Sequence, residues 1–251
     1  MPQLAIDADL VLYPSSDGQP MGETWIHVQT IMMLTQAMEV FFEKRSDALI
    51  TSDMFWYWER GNKSAVVAPD VMVILGLKNP DPPSRRSYFS WKEGGLIPAV
   101  VFEIASENTY EEDLDEKLAL YERLGVPEYF LYDPEGFYLK PALQGFRLKQ
   151  KKYRRIRTAA MESRLGFRLR GEGTMLRVID AKTGKPIPSN AEIREALLKT
   201  QSQAVKQAQR AAAETQRAAA EAQRAAAEKE RADLLAAEVE RLKQQLGRSG
   251  A

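Results

Sequence analysis

Two carboxylates set inside apolar runs constrain this chain more than any other feature. Asp70 lies in Ala65-Val66-Val67-Ala68-Pro69-Asp70-Val71-Met72-Val73-Ile74-Leu75, and Glu103 in Pro98-Ala99-Val100-Val101-Phe102-Glu103-Ile104. Both runs are nearly continuous in apolar character, which is the pattern of buried strands. An acid in such a strand is costly unless it is paired or binds a cation. Two acids at comparable places therefore point to a divalent-metal site.

The composition narrows which metal. There are no cysteines and one histidine, His27, so thiolate chemistry, cysteine zinc sites and histidine clusters are excluded. A hard, oxygen-ligated ion remains, Mg²⁺ or Mn²⁺. The 251 residues suffice for one sizeable domain plus extras. The N-terminus has no basic region followed by an apolar stretch, and no segment offers about 18 uninterrupted apolar residues. The expectation is a cytoplasmic chain with no membrane partner. There is also no phosphate-binding glycine loop and no GxSxG.

A net charge of zero hides two opposite blocks. Glu103 to Glu116 holds seven acids and no base; Lys140 to Arg170 holds eleven bases and one acid, Glu162. This pairing suits a phosphodiester substrate, with bases such as Lys149, Lys151, Lys152, Arg154 and Arg155 holding phosphates. The plainer reading is two solvated faces.

Along the chain, 1–21 reads as an irregular lead-in. Thr24 to about Lys44 has helical periodicity (Ile26, Ile31, Leu34, Met38, Phe41, Phe42). Residues 51–58 form an expected strand, and Gly61-Asn62 a hairpin turn into the Asp70 strand. Residues 79–84 are a loop, and the Glu103 strand follows. Thr109 and Glu112 fit a capping box that opens a helix, which Gly125 and Pro127 end. Strands are expected at 128–133, 137–141 and 145–157. The order α-β-β-β-α-β-β predicts an α/β domain over 22–190, with a mixed β-sheet flanked by helices. From 191 to 251 a seven-residue repeat (Gln209-Arg-Ala-Ala-Ala-Glu-Thr, Gln216-Arg-Ala-Ala-Ala-Glu-Ala, Gln223-Arg-Ala-Ala-Ala-Glu-Lys) runs into Leu235, Val239, Leu242 and Leu246. It reads as a long C-terminal helix with a coiled-coil seam in its last part, where two copies would pair. A solvated single helix is the alternative.

Metal-assisted phosphodiester cleavage needs carboxylates to fix the ion and a cation near the attacking water. Asp70 and Glu103 supply the first. The residue two beyond Glu103 is Ala105, and the next lysine is Lys117 on the following helix. Asp113, Lys117 and Tyr121, spaced by four, share one face of it. Ser106 ends the Glu103 strand. Spacing leaves two readings of Lys117 open: it reaches the acids, or it forms a surface pair with Asp113.

These residues carry a resemblance. Pro69-Asp70-Val71, Val101-Phe102-Glu103-Ile104-Ala105-Ser106-Glu107-Asn108-Thr109, and Asp113…Lys117…Tyr121…Gly125-Val126-Pro127-Glu128-Tyr129-Phe130 resemble the Uma-type family of restriction endonucleases, over about 22–195. The resemblance implies a restriction-endonuclease-like core of the PD-(D/E)XK group. Asp70 matches its aspartate and Glu103 its second acid. The lysine two residues on is missing, and Lys117 occupies the place where the family keeps one on the next helix. It further implies Mg²⁺ (or Mn²⁺) on Asp70, Glu103 and the Ile104 carbonyl. An acid from the first helix, Glu39 or Glu43, would complete the site.

His27 falls where the family often has a histidine, facing either the pocket or the core. Phe55-Trp56-Tyr57-Trp58 either packs in the core or stacks on bases. Two functional readings follow. One is a metal-dependent DNA endonuclease, dimeric through its core and C-terminal helix. The other is an inert nucleic-acid-binding or scaffolding module whose coiled coil is its working part.

Overall fold

The structure is a computed structural model that describes residues 13–16, 24–80, 85–157 and 161–248, without the side chains of 242 and 244–248. The chain separates into two compact units, Met1–Asn190 and Ala191–Ala251.

The first unit begins its regular structure with helix α1 (Trp25–Phe42), capped by the Thr24 side chain, which accepts the His27 N–H at 3.3 Å. Strands follow in chain order: β1 (Ala48–Thr51), β2 (Trp56–Tyr57), β3 (Val66–Val67), β4 (Val71–Leu75), β5 (Tyr88–Phe89) and β6 (Val100–Ile104). Two short helices, α2 (Tyr110–Leu114) and α3 (Glu116–Leu124), lead to β7 (Glu128–Tyr132). Then come β8 (Leu143–Lys149), β9 (Lys152–Arg155), β10 (Met161–Glu162), β11 (Phe167–Glu172) and β12 (Met175–Asp180).

Six strands form the main sheet in the order β1-β4-β6-β7-β8-β9; β10-β11-β12 and β3-β2-β5 form two small ones. Within the main sheet β6 and β7 run parallel and the other neighbours antiparallel. Parallel neighbours need a crossover connection, and here it carries α2 and α3 over one face of the sheet. Ile31, Leu34, Met38 and Phe42 of α1 pack on the other face, against Val71, Val73, Val100, Phe102, Ile104 and Phe130. The expected mixed sheet flanked by helices is present.

Several local expectations are corrected. Residues 51–58 are not one strand: the chain breaks at Asp53 (φ 49°), and β1 and β2 join different sheets. The apolar run around Asp70 also splits into β3 and β4. Pro69, with no N–H to give, sits at the break, and its carbonyl accepts the Asp53 N–H at 3.1 Å. The Gly61-Asn62 turn therefore leads into β3, not directly into the Asp70 segment. Thr109 precedes α2 but makes no side-chain cap, so the capping box does not form, and Asp115 divides the expected helix in two. No strand forms at 137–141. Gln150 and Lys151, both at positive φ (53° and 61°), close the β8–β9 hairpin as a two-residue turn inside the expected strand 145–157. The small β10–β12 sheet is an addition to the expected strands.

Of the lead-in, only 13–16 is described, and it carries no helix or strand; 81–84 of the expected loop likewise lies outside the described residues. The second unit is built on α4 (Asn190–Arg248), a helix of 59 residues. Leu235 and Val239 are exposed on it, while the side chains of Leu242 and Leu246 lie outside the described residues. Among the described residues no helix is long and apolar enough to cross a membrane.

Candidate active site at the end of strand β6

Strand alternation decides where Glu103 points. Phe102 and Ile104 enter the core shared with α1, whereas Val101 and Ala105 enter the core shared with Tyr121 of α3. Glu103 lies between the latter two on the same face. The crossover thus carries Lys117 and Tyr121, one turn apart, over the carboxyl of a strand 14 residues earlier.

Glu103 is fully buried. Its Oε1 accepts the Tyr121 hydroxyl at 2.6 Å. Its Oε2 accepts Lys117 Nζ at 3.1 Å and the Asp70 backbone N–H at 3.3 Å. Asp70 Oδ2 in turn accepts the Ile104 N–H at 2.6 Å and lies 3.7 Å from His27 Nε2. Each acid therefore holds the backbone that carries, or adjoins, the other. Lys117 Nζ is also 2.9 Å from Asp113 Oδ1, a close ion pair rather than an aligned hydrogen bond. Asp113 is buried, so the solvated surface pair allowed by spacing does not describe it. Tyr129 Oη donates to the Asp113 carbonyl at 2.9 Å and fixes α2 to β7.

The charges are mutually dependent. Burial pushes the Glu103 carboxyl well above the usual glutamate range; the Lys117 charge opposes this, and Asp70 and Asp113 add to it. Burial likewise raises Asp113, against the pull of Lys117. For Lys117 burial alone would favour the neutral amine, but the charges of Glu103, Asp113 and Asp70 outweigh it and hold the ammonium above its ordinary range. Burial and the Glu103 charge keep Tyr121 a neutral donor.

The cluster has three carboxyls and one lysine, an imbalance that a bound cation would relieve. Asp70 and Glu103 offer hard oxygen donors suited to Mg²⁺ or Mn²⁺. Among the described residues no three histidine, cysteine, aspartate or glutamate side chains converge as a ligand set. Two carboxylates and a backbone carbonyl, such as that of Ile104, are what this chain has to give, and water or substrate would complete the shell.

Other expected members fall in various places. Asp70 stands at the entry to β4, not within a strand, and its side chain is 15% exposed. His27 is buried at the start of α1 beside Asp70. Glu39 and Glu43 do not join: they lie 12 and 16 residues beyond His27, roughly 18 and 24 Å along the axis. Both are exposed and border Ala48 and Ile50 instead. Ser106 serves its own turn, its N–H and hydroxyl meeting Thr109 Oγ1 at 3.3 and 3.1 Å. Trp56 stacks on Tyr121 in one core and Tyr57 on Phe89 in another, so both are packing residues. Lys149, Arg154 and Arg155 line a separate cleft; Lys151 sits in the hairpin turn, and Lys152 pairs with Glu122 at 2.7 Å. Two further acids, Asp133 and Glu128, are buried outside the candidate site. Asp133 accepts the N–H groups of Glu135, Gly136, Tyr138 and Leu139, for which Asp-Pro-Glu-Gly was the available signal. Glu128 holds Arg147 at 2.8 Å.

Residues 11–169 match the model of Uma2, described as "Putative restriction endonuclease". The chain belongs to the Uma2 family. The Uma2 match includes Asp70, Glu103, Asp113, Lys117 and Tyr121 and ends before α4. Among solved structures, a "putative nuclease belonging to DUF820" from Anabaena variabilis is similar. It is 14% identical, with 59% of this chain and 79% of that one covered and a TM-score of 0.42. No curated protein matches this Uma2 chain.

Tyr121→Phe removes the donor to Glu103 Oε1 and should lower stability by about 1.5–3 kcal/mol. The hydroxyl favours the charged carboxyl, so the loss should be smallest while Glu103 is protonated and should grow as pH rises through its raised folded pKa and above it. Urea unfolding of both proteins across the range from pH 5 to pH 9 measures it; a loss that shrinks as pH rises would contradict the assignment.

Proposed function

We propose that this Uma2 protein is a metal-dependent endonuclease that hydrolyses DNA phosphodiester bonds, with Asp70, Glu103 and Lys117 at its centre. The observation that carries the reading is Lys117 Nζ at 3.1 Å from Glu103 Oε2, with Asp70 held against the same strand end. A lysine delivered by the crossover helix stands where the strand itself supplies only Ala105.

When bound, Mg²⁺ or Mn²⁺ would lower the pKa of a water and offset charge on the phosphate. The protein's own residues do the rest. Asp70 and Glu103 would hold the ion, with the Ile104 carbonyl as a further oxygen donor. Lys117 stays an ammonium because three acids surround it. It therefore does not take a proton from water; it orients the water and offsets the negative charge that develops at phosphorus. Tyr121 and the Asp70 N–H fix the Glu103 carboxyl so that it need not reorganise.

One observation favours the second reading, an inert module: both Glu103 oxygens already have donors within the protein. Nicking of supercoiled DNA in Mg²⁺ or Mn²⁺ separates the two. Asp70→Asn, Glu103→Gln and Lys117→Met should each lose at least about a hundredfold in rate, with circular dichroism unchanged. Variants that nick as fast as wild type would remove the nuclease reading.

We also infer that α4 pairs two copies. Alanine-rich heptads give helix propensity but little burial, and Leu235 and Val239 supply apolar surface that a second copy would cover. Sedimentation should give a dimer for wild type and a monomer for Leu235→Asp/Val239→Asp. A monomeric wild type would contradict the pairing.

A further inference from the structure

Arg147, Lys149, Arg154, Arg155, Arg157 and Arg164 line an open cleft of about 640 Å³, together with Ile156, Ser163 and Glu162. Its charge is almost uncompensated. Glu128, fully buried, accepts Arg147 Nε at 2.8 Å, the Ser163 hydroxyl, and the Arg164 N–H at 3.1 Å. That contact neutralises one guanidinium and fixes it at the wall of the cleft. Glu162 is taken by Arg168 at 2.8 Å. Among the described residues, the side chains of Lys149, Arg154, Arg155, Arg157 and Arg164 have no acid at ion-pair distance. Arg147 and Arg154 are direct cross-strand partners. Like charges placed opposite one another destabilise a sheet unless an anion lies between them.

The cleft is not part of the acid cluster. Arg147 shares its strand face with Gly145, where an added Cβ would lie 2.8 Å from the Phe130 ring, in the core shared with α1. Glu103 points to the other face. Glu103 is in register with Leu131, three residues along β7 from Glu128, and β8 lies two strands from β6. At about 3.3 Å per residue and 4.8 Å per strand, the backbone positions of Glu103 and Arg147 are roughly 14 Å apart, with side chains on opposite sides. One phosphate cannot touch both.

We propose that this cleft anchors the sugar–phosphate backbone of a nucleic acid, separately from the carboxylate centre. The proposal rests on the nuclease reading only for the class of partner. The cations spread over β8, β9 and the segment around β10, and the volume exceeds what one phosphate needs. A chain of regularly spaced phosphates fits such an array better than a single small anion. Arg147, held by a buried acid, stands directly across the hairpin from Arg154.

Fluorescence anisotropy of a labelled 20-nucleotide oligonucleotide, single-stranded and duplex, tests this on the full chain in EDTA, where no metal bridges the acids to phosphate. Arg154→Glu/Arg155→Glu should weaken binding at least tenfold and flatten the salt dependence by about two phosphate contacts. The milder Arg154→Ala/Arg155→Ala, which tests the site even if charge reversal unfolds the hairpin, should lose less but still more than twofold. Lys63→Glu/Lys78→Glu, the same charge change elsewhere on the surface, should stay within twofold of wild type. Equal binding by the arginine variants, or an equal loss in the lysine control, would overturn the proposal. So would inorganic phosphate binding through these arginines with no oligonucleotide binding. A wild type that binds through the cleft yet nicks nothing would remove the nuclease reading and leave this one; nicking combined with unaltered binding by the variants would do the reverse.

Discussion

Glu103 carries a carboxyl into the middle of an apolar sheet, out of contact with water. A lone charge there would cost several kcal/mol or give way to the protonated form. The neighbouring structure is arranged against that cost. A tyrosine and a lysine arrive from the crossover helix, and a backbone N–H arrives from the entry to β4. Asp70 and Asp113 then surround the lysine with further negative charge, so that it remains an ammonium. A hydrophobic side chain at position 103 would satisfy the sheet more simply. A group of charges kept in such a place, with carboxyl pKa values pushed up by burial, is what makes this cluster the candidate site.

Much of this was legible in the sequence because strand alternation and helical spacing are local rules. The apolar run ending at Ile104 placed Glu103 on one face, and the spacing of Asp113, Lys117 and Tyr121 put three side chains on one side of a helix. The lysine's contact with the acid was not local. It depends on β6 and β7 being parallel, which sends the intervening helices back across the face that holds Glu103. The family resemblance pointed to that contact; periodicity alone could not. The first-helix acids failed for a related reason. Glu39 and Glu43 have the right chemistry, but the end of α1 that meets Asp70 is the one carrying His27.

The breaks in the strands were harder to foresee. Pro69 and the positive φ of Asp53 cut two apolar runs that look continuous by hydropathy, and the halves enter different sheets. That break puts Asp70 at a strand entry, partly exposed, instead of sealing it in the core. The proline break makes the difference between Asp70 and Glu103, and on the proposed nuclease reading the open acid and the fixed acid would serve to admit an ion and a phosphate. The zero net charge concealed a second separation. Glu103 and Arg147, from acidic and basic blocks close in sequence, point to opposite faces of one sheet, a separation that composition does not show.

Titration calorimetry with Mn²⁺ tests the central claim most directly, because it reads cation uptake by the acid pair without requiring catalysis. Wild type should take up about one ion per chain saturably, and both Asp70→Asn and Glu103→Gln should abolish the uptake while remaining folded. No uptake by wild type, or uptake that persists in either variant, would contradict the assignment of these two carboxyls to a metal centre.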